Sequence, residues 1–465
     1  MRVAAIDQGT TSTRCLVIGD GGAWRVAASR RHGQHHPHAG WVEHDPEELL
    51  ANIRAVLEAA GPVDAIAIAN QGESCLAWDA VTGAPLSPVI VWQDARTADR
   101  LAALPEGSED LSRRICGLPL DPYFSASKLA WTLRELPAVA KARREGRLRL
   151  GTTDAFFLDR LCGAFLTDRA TASRTGLLDL ATGGWSAELC ALHGVPIDCL
   201  PPVVDVDAGF GTIDGVPVRV SIVDQQAALF GHGCRAPGDC KITFGTGAFM
   251  LAVRGAARPE TDGLLPTVGW SRTGSGTTFA VEGGVYDAGA ALEWARGIGL
   301  YSSHDELAGF DGPSALARGI VFVPALSGLA APYWDRDAAP LFIGMDHATD
   351  RRDLVRAVLE GIAMLTVGLL DAAAPVVPAG HPVSIDGGLS ASPYFARFLA
   401  AASGRRIVVP RMHELTALGL AELAGAEVRE IRGQAAVFEP EAMVSGDDQA
   451  RFAEAVARAR GWRGL

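Results

Sequence analysis

Apolar residues in this chain fall into short runs separated by small polar clusters, and the period of each run sets the element it predicts. Val3 to Ile6, Arg14 to Ile18 and Trp24 to Ala28 read as three strands joined by tight turns, the second turn being Gly19-Asp20-Gly21-Gly22. From Asp45 the period becomes helical. Asp45 is placed to cap, Pro46 occupies the first helical position, Glu47 and Glu48 fill the first turn, and Leu49, Leu50, Ile53, Val56 and Leu57 recur on one face. Val63 to Ala69 is nearly all apolar, as expected of a parallel strand covered on both sides.

The same succession returns after about residue 232. A hairpin is expected over 240–253, a return strand near Thr278 to Val281, and a helix from Asp287 to Arg296. A longer helix from Asp353 to Ala374 carries Leu354, Val358, Ile362, Leu365 and Leu369 on one side, followed by the strand Val383 to Ile385 and the turn Asp386-Gly387-Gly388. The second half therefore repeats the first. No low-complexity linker divides them, and Gly231-His232-Gly233 is the expected boundary and hinge.

Length agrees with two domains, since 465 residues exceed what one core ordinarily holds. A net charge of -12 disfavours a nucleic-acid or anionic-membrane surface and leaves a small-molecule ligand easier to reconcile. The uncharged stretch Gly319 to Trp334 contains Pro324 and Pro332 and makes a poor membrane helix. Eight dispersed cysteines show no C-x-x-C pair, so buried free thiols in a reducing cytoplasm are expected. His32, His35, His36, His38 and His44 crowd one polar segment without a cysteine or carboxylate at ligand spacing, which reads as a solvated loop.

The chemistry-bearing residues cluster where the two halves correspond. Asp7-Gln8-Gly9-Thr10-Thr11-Ser12-Thr13-Arg14 follows the first apolar strand, and Thr243-Phe244-Gly245-Thr246-Gly247 occupies the turn of the second hairpin. Glycines let backbone N–H groups approach an anion, and threonine hydroxyls add donors, so the two loops suggest a nucleotide held between similar domains. Asp7 reads either as a turn aspartate or as an acid holding hydrated magnesium beside phosphates. Arg14 can reach a phosphate or form a surface ion pair. Asp224 opens a short helix, where a carboxylate serves equally as a cap or as an acceptor for a substrate hydroxyl proton. Trp92 and Phe249 read as core aromatics or as a ligand wall. Glu73, at the end of an apolar strand, is a loop acid or a polyol contact.

Several ordered stretches match a known family. They are Asp7 to Arg14, Gly-Trp-Val-Glu-His-Asp-Pro at 40–46, Asp-Pro-Tyr-Phe-Ser at 121–125, Asp-Gln-Gln-Ala-Ala-Leu-Phe-Gly at 224–231, and Phe-Gly-Thr-Gly-Ala-Phe-Met-Leu at 244–251. Ala-Pro-Tyr-Trp-Asp at 331–335, Asp386-Gly387-Gly388 and Thr416-Ala417-Leu418-Gly419 continue the series. The chain resembles the FGGY carbohydrate kinases, on their glycerol kinase-like branch. The resemblance implies an α/β fold of two actin-like, ribonuclease H-like (hexokinase-type) domains, 1–232 and 233–465, closing on an interdomain cleft. It implies ATP and magnesium as cofactors, a small polyol or sugar as partner, and is compatible with a homodimer or homotetramer.

Carried over by residue, Asp7 is the expected magnesium-side acid and Asp224 the catalytic base. Thr10, Thr11, Ser12, Arg14, Thr246, Gly289, Gly388 and Ser392 are the expected nucleotide contacts. Glu73, Trp92, Tyr123, Asp224, Gln225 and Phe249 are expected around the polyol. One departure stands out: the family's strand end reads Asn-Gln-Arg-Glu-Thr, with an arginine gripping substrate hydroxyls, where this chain has Gly72. Losing that fork opens space and removes donors. A site missing a hydroxyl partner can lose discrimination of about ten-thousandfold. The acceptors compatible with the sequence are therefore glycerol and a four- or five-carbon polyol or ketose, and a catalytically silent nucleotide-dependent sugar sensor is the alternative of another class.

Overall fold

The computed structural model describes residues 1–260 and 263–464 and builds them around two mixed sheets. The first contains β1 (Val3–Gln8), β2 (Ser12–Ile18), β3 (Trp24–Arg31), β4 (Ala65–Asn70), β5 (Thr212–Ile213) and β6 (Val216–Val223), in the spatial order β5-β6-β4-β1-β2-β3. The second contains β7 (Cys240–Phe244), β8 (Ala248–Gly255), β9 (Leu265–Arg272), β10 (Gly276–Val285), β11 (Val383–Gly387), β12 (Ile407–Val409) and β13 (Ala436–Phe438), ordered β9-β10-β8-β7-β11-β12-β13.

The repetition read from the sequence is a repetition of topology. In each sheet a hairpin leads to a third antiparallel strand on one side and to two parallel strands on the other: β3-β2-β1-β4-β6 matches β10-β8-β7-β11-β12. Asp7 lies opposite Arg14 and beside Ala69, while Thr243 lies opposite Phe249 and beside Asp386. The carboxyl ends of corresponding strands thus supply both polar loops, where ligands gather in α/β sheets. Every residue of β4 is buried, as its unbroken apolar sequence requires for a strand covered on both faces.

Five helices frame the polar loops: α1 (Pro46–Ala60), α2 (Asp224–Gly231), α3 (Gly289–Gly297), α4 (Arg351–Ala372) and α5 (Leu415–Leu423). The Asp45 side chain accepts from Glu47 N at 2.9 Å, and α1 ends at Gly61 with φ 67°. Helix α4 begins two residues before its expected start because the Asp350 carboxylate accepts from Asp353 N and caps it. Helix α3 begins two residues late, since Asp287 is bonded instead to the amide and hydroxyl of Ser327 at 2.6 and 2.9 Å.

Helices α2 and α5 make the closest contact between the halves. A Cβ on Gly231 would lie 1.9 Å from the Leu415 carbonyl oxygen, and one on Gly419 would lie 1.9 Å from that of Ala227. Only glycine lets the two backbones touch here. Around the crossing, Ala5 and Ala67 of the first sheet share one apolar core with Leu229, Leu251, Leu415 and Leu418. Hydrophobic burial therefore continues across the sequence boundary near residue 232.

The histidine segment departs from its reading as a solvated loop. His35, His36 and His38 are exposed and His32 is half-buried, but His44 is completely buried. It sits in the short strand Glu43–His44, bonds Gly33 O through Nδ1 at 2.9 Å and packs edge-on against His32. Burial pulls the His44 imidazole down to about 4, so it is a neutral core residue whose one polar partner is backbone. No group of three or more metal-ligating side chains occurs among the described residues. The cysteines are free as expected, and all but the half-buried Cys162 are buried. No helix among the described residues is long and apolar enough to cross a membrane.

The α2–α5 crossing gives a stability test. Gly419→Ala adds one methyl group against a carbonyl with no room to retreat, and its expected cost is about 3 kcal/mol. Thermal melts should show a clearly lowered midpoint, and a melt superimposable on wild type would remove the crossing from its central place.

Candidate active site

The two hairpin turns are linked through Trp92, which bonds Thr10 of the first and packs against Phe249 just after the second. The first is closed by Gly9 N donating to Ser12 O at 3.1 Å, with Thr11 exposed and Thr10 and Ser12 half-buried. The second leaves Gly245 and Thr246 exposed and is seated on the start of α3, where Gly289 N and Ala290 N donate to Gly245 O and Thr246 O at 3.0 and 2.9 Å. A Cβ at Gly289 would lie 2.5 Å from Gly245 O, so this seating requires glycine.

Behind the second hairpin opens a cleft of about 820 Å³ whose walls include Thr246, Gly289, Glu293, Gly388 and Ser392. Gly387 turns with φ 86° directly over Phe244, and nothing lies within 4 Å of where a side chain on Gly388 would begin. Backbone is thereby open to a ligand. Ser392 lines the same wall, but its hydroxyl is engaged: it accepts from Phe395 N to cap the next helix and donates to Leu307 O at 2.8 Å.

At the head of α2, Val223 occupies the cap position and Asp224 is the first helical residue. Its carboxylate accepts from Gln225 N at 2.7 Å. Burial and the charge of Asp7 push Asp224 up to about 7, and the Gln225 N–H and Lys241 oppose the shift. Asp7 is pushed up to about 6 by burial and by Glu414, with Arg14 pulling it back. The Asp7 charge thus bears on Asp224 from another strand end, and a cation held at Asp7 would relieve it.

Three aromatic rings pack together beside the hairpin turns, and two of them, Tyr123 and Phe249, line a second, smaller cavity with Glu282. Trp92 meets Tyr123 edge-on with centroids 5.6 Å apart and Phe249 with centroids 6.4 Å apart. Trp92 Nε1 donates to Thr10 Oγ1 at 3.1 Å, which joins the rings to the first hairpin. Glu73 is almost fully buried, has φ 57°, and is gripped by Arg174, whose Nε lies 2.7 Å from Glu73 Oε1. Burial raises Glu73 to about 7 even though the Arg174 charge lowers it. The space left at Gly72 is partly taken: a Cβ there would lie 3.1 Å from a Val223 methyl.

Arg14 takes the ion-pair course of its two readings. Its guanidinium is bonded to Glu414, just before α5, joining the two halves at the edge of the cleft. Sequence reasoning also passed over three buried charges. Arg174 and Glu282 form an ion pair at 3.0 Å, and Lys241 donates to Gln225 Oε1 and to Thr243 Oγ1. For Lys241 and Glu282 there was a signal, namely a charge interrupting the apolar strands Cys240-Lys241-Ile242 and Ala280-Val281-Glu282. Arg174 lies in a polar run and carried none.

Residues 2–231 match the FGGY family of carbohydrate kinases, N-terminal domain, and residues 240–428 match its C-terminal domain. A glycerol kinase of Aromatoleum aromaticum is 40% identical over 98% of both chains, and one of Citrifermentans bemidjiense is 40% identical over 90% of this chain and 89% of its own. Among solved structures, Plasmodium falciparum glycerol kinase with ADP aligns over 98% of both chains with a TM-score of 0.88 and 28% identity. A Lactobacillus acidophilus xylulose kinase, at 20% identity and a TM-score of 0.84 over 98% of this chain and 96% of its own, shares the two-domain α/β fold. This chain therefore belongs to the FGGY family of carbohydrate kinases, as an ATP-dependent enzyme of that family's two-domain, actin-like architecture.

Proposed function

We propose that the chain transfers the γ-phosphoryl group of ATP to a terminal hydroxyl of glycerol, giving a glycerol phosphate and ADP. The observation that carries this reading is the juxtaposition at the head of α2. A carboxyl raised to about 7, Asp224, shares the cleft with the Trp92, Tyr123 and Phe249 rings and faces the first phosphate-type hairpin through Asp7. Glycerol kinases at 40% identity over nearly the whole chain support the choice of acceptor.

In this reading the aromatic rings shape a small box that covers the carbon chain of the polyol, and Glu73 and Gln225 orient its hydroxyls. Lys241 holds the Gln225 amide oxygen, which leaves the amide N–H groups for the substrate. Asp224 takes the proton of the terminal hydroxyl as its oxygen attacks the γ-phosphorus in line, and the bond to the ADP oxygen breaks. Thr10, Thr11, Ser12 and Thr246, with the open backbone at Gly289 and Gly388, cradle the phosphates. The cleft volume, the glycine requirement at 289 and the exposed turn at 388 suit a nucleotide lying along the second half.

Asp7 is the residue that would hold magnesium. A single carboxylate with no wider ligand cluster among the described residues suits an ion bound mainly through phosphates and water. Bound there, the ion would neutralise charge developing on the phosphate oxygens. Unpaired thiols throughout fit the reducing, ATP-rich cytoplasm.

Purified protein supplied with ATP and magnesium is expected to release ADP fastest with glycerol in a panel that includes four- and five-carbon polyols and ketoses. Fastest turnover of a longer acceptor would overturn the choice of glycerol, and no stimulation by any compound would favour a sugar sensor. Asp224→Asn is expected to lower kcat by about a thousandfold while ATP affinity stays within about twofold, and near-normal turnover would exclude Asp224 as the base. The pH dependence has a defined sign. Asp224 and Glu73 act as carboxylates and each sits at about 7, so kcat/KM should fall as pH drops below 7. A flat profile between about pH 5.5 and 8 would contradict both roles.

A further inference from the structure

Arg174 follows the short helix Arg169–Ala172, one of the elements along which the two halves meet. Its neighbour Ser173 bonds Thr267 Oγ1 at 3.0 Å and accepts from Val268 N at 3.2 Å, both on β9. The guanidinium is 1% exposed and divides its edges between two carboxylates of different origin. Nε donates to Glu73 of the first half at 2.7 Å, and Nη2 donates to Glu282 of β10 in the second half at 3.0 Å. Nη1 is buried with no hydrogen-bond partner, an arrangement that stays unfavourable until a ligand supplies an acceptor. The Arg174 Cζ lies 5.6 Å from the centre of the Phe124 ring, and Phe124 and Glu282 line one cavity with Tyr123 and Phe249.

Position 72, which has no side chain, precedes Glu73 just past the end of β4. Glu73 must accept hydrogen bonds from a polyol as a carboxylate, yet it is buried where a neutral carboxyl is favoured. A cation has to hold it ionised, and Gly72 contributes none. We propose that Arg174 is the positioning residue of the acceptor site, the guanidinium that Gly72 lacks, fixing Glu73 as an ionised acceptor and tying it to Glu282 across the two halves. This rests on the reading of the cleft as a polyol kinase site.

The groups that face Glu73 are Arg174 after its short helix, Glu282 on β10, Asp224 on α2, Tyr123 in the loop before the helix Ser125–Glu135, and Lys128 within that helix. Arg174 lowers the Glu73 carboxyl, while Glu282 and Asp224 raise it. Removing Arg174 and removing Glu282 therefore act on Glu73 in opposite directions. General damage to packing would not do this.

The decisive experiment is steady-state kinetics of the full-length wild type, Arg174→Gln and Glu282→Gln, with ATP and glycerol varied separately between about pH 5.5 and 9. Both variants should raise the glycerol KM about tenfold or more and leave the ATP KM within about twofold. The acid limb of kcat/KM should move to higher pH in Arg174→Gln and to lower pH in Glu282→Gln. Limbs that move together or stay in place, or a glycerol KM within about threefold of wild type, would overturn the proposal. If Arg174→Gln does not fold, Glu282→Gln carries the test alone: it keeps the cation and still shifts the limb downward. Wild-type protein without glycerol-dependent ADP release would instead refute the polyol kinase reading, so the two failures are distinct.

Discussion

Helices α2 and α5 cross so closely that the carbonyl of each lies where a side chain on the other's glycine would begin, and this contact fixes where the cleft can be. Asp224 opens α2 directly from β6, and Glu414 immediately precedes α5. A rigid crossing of the two helices therefore sets the spacing between the proposed base on one side and the Arg14–Glu414 bridge on the other. Any larger residue at 231 or 419 would spread the helix starts along with the helix bodies. Packing far from the reacting atoms then becomes geometry at them.

The cleft floor carries more buried acid than an ordinary core tolerates. Asp7, Glu73, Asp224 and Glu282 come from different strands and helix ends. Desolvation raises the first three, Glu282 adds to the rise in Glu73 and in Asp224, Asp7 adds to that in Asp224, and Glu414 adds to that in Asp7. Arg174 and Lys241 offset part of this, each using its hydrogen bonds to orient a neighbour as well as to balance charge. The unfavourable remainder suits a site completed by a cation and a polyol. Stability given up at the floor is in this sense the form that affinity takes.

Much of the fold was legible because its signals are local. The cap, proline and acids at residues 45–48 fixed the start of α1, and the matching order of loop, helix and strand in the two halves announced the repeated sheet. Asp7, Asp224 and the two glycine-threonine turns were legible for the same reason, each sitting at the end of a recognisable strand. Pairings across the chain were not. Arg174 meets Glu73 from 101 residues away and Glu282 from 108, and Arg14 meets Glu414 from 400. No periodicity carries information over such separations. His44 departs from its reading as part of a solvated loop because a histidine in a polar run looks solvated until the small sheet that buries it, and the Gly33 carbonyl that bonds its Nδ1, are in place.

The unpaired thiols have a consequence for the chemical durability of the chain. Burial pushes Cys15, Cys75 and Cys240 up to about 12, so at neutral pH almost none of each is the reactive thiolate. Oxidants and electrophiles that act on cysteine find almost nothing to attack at these positions while the cores are intact. Packing alone thus keeps these three thiols inert towards redox change, and none of the eight cysteines is in a disulfide among the described residues.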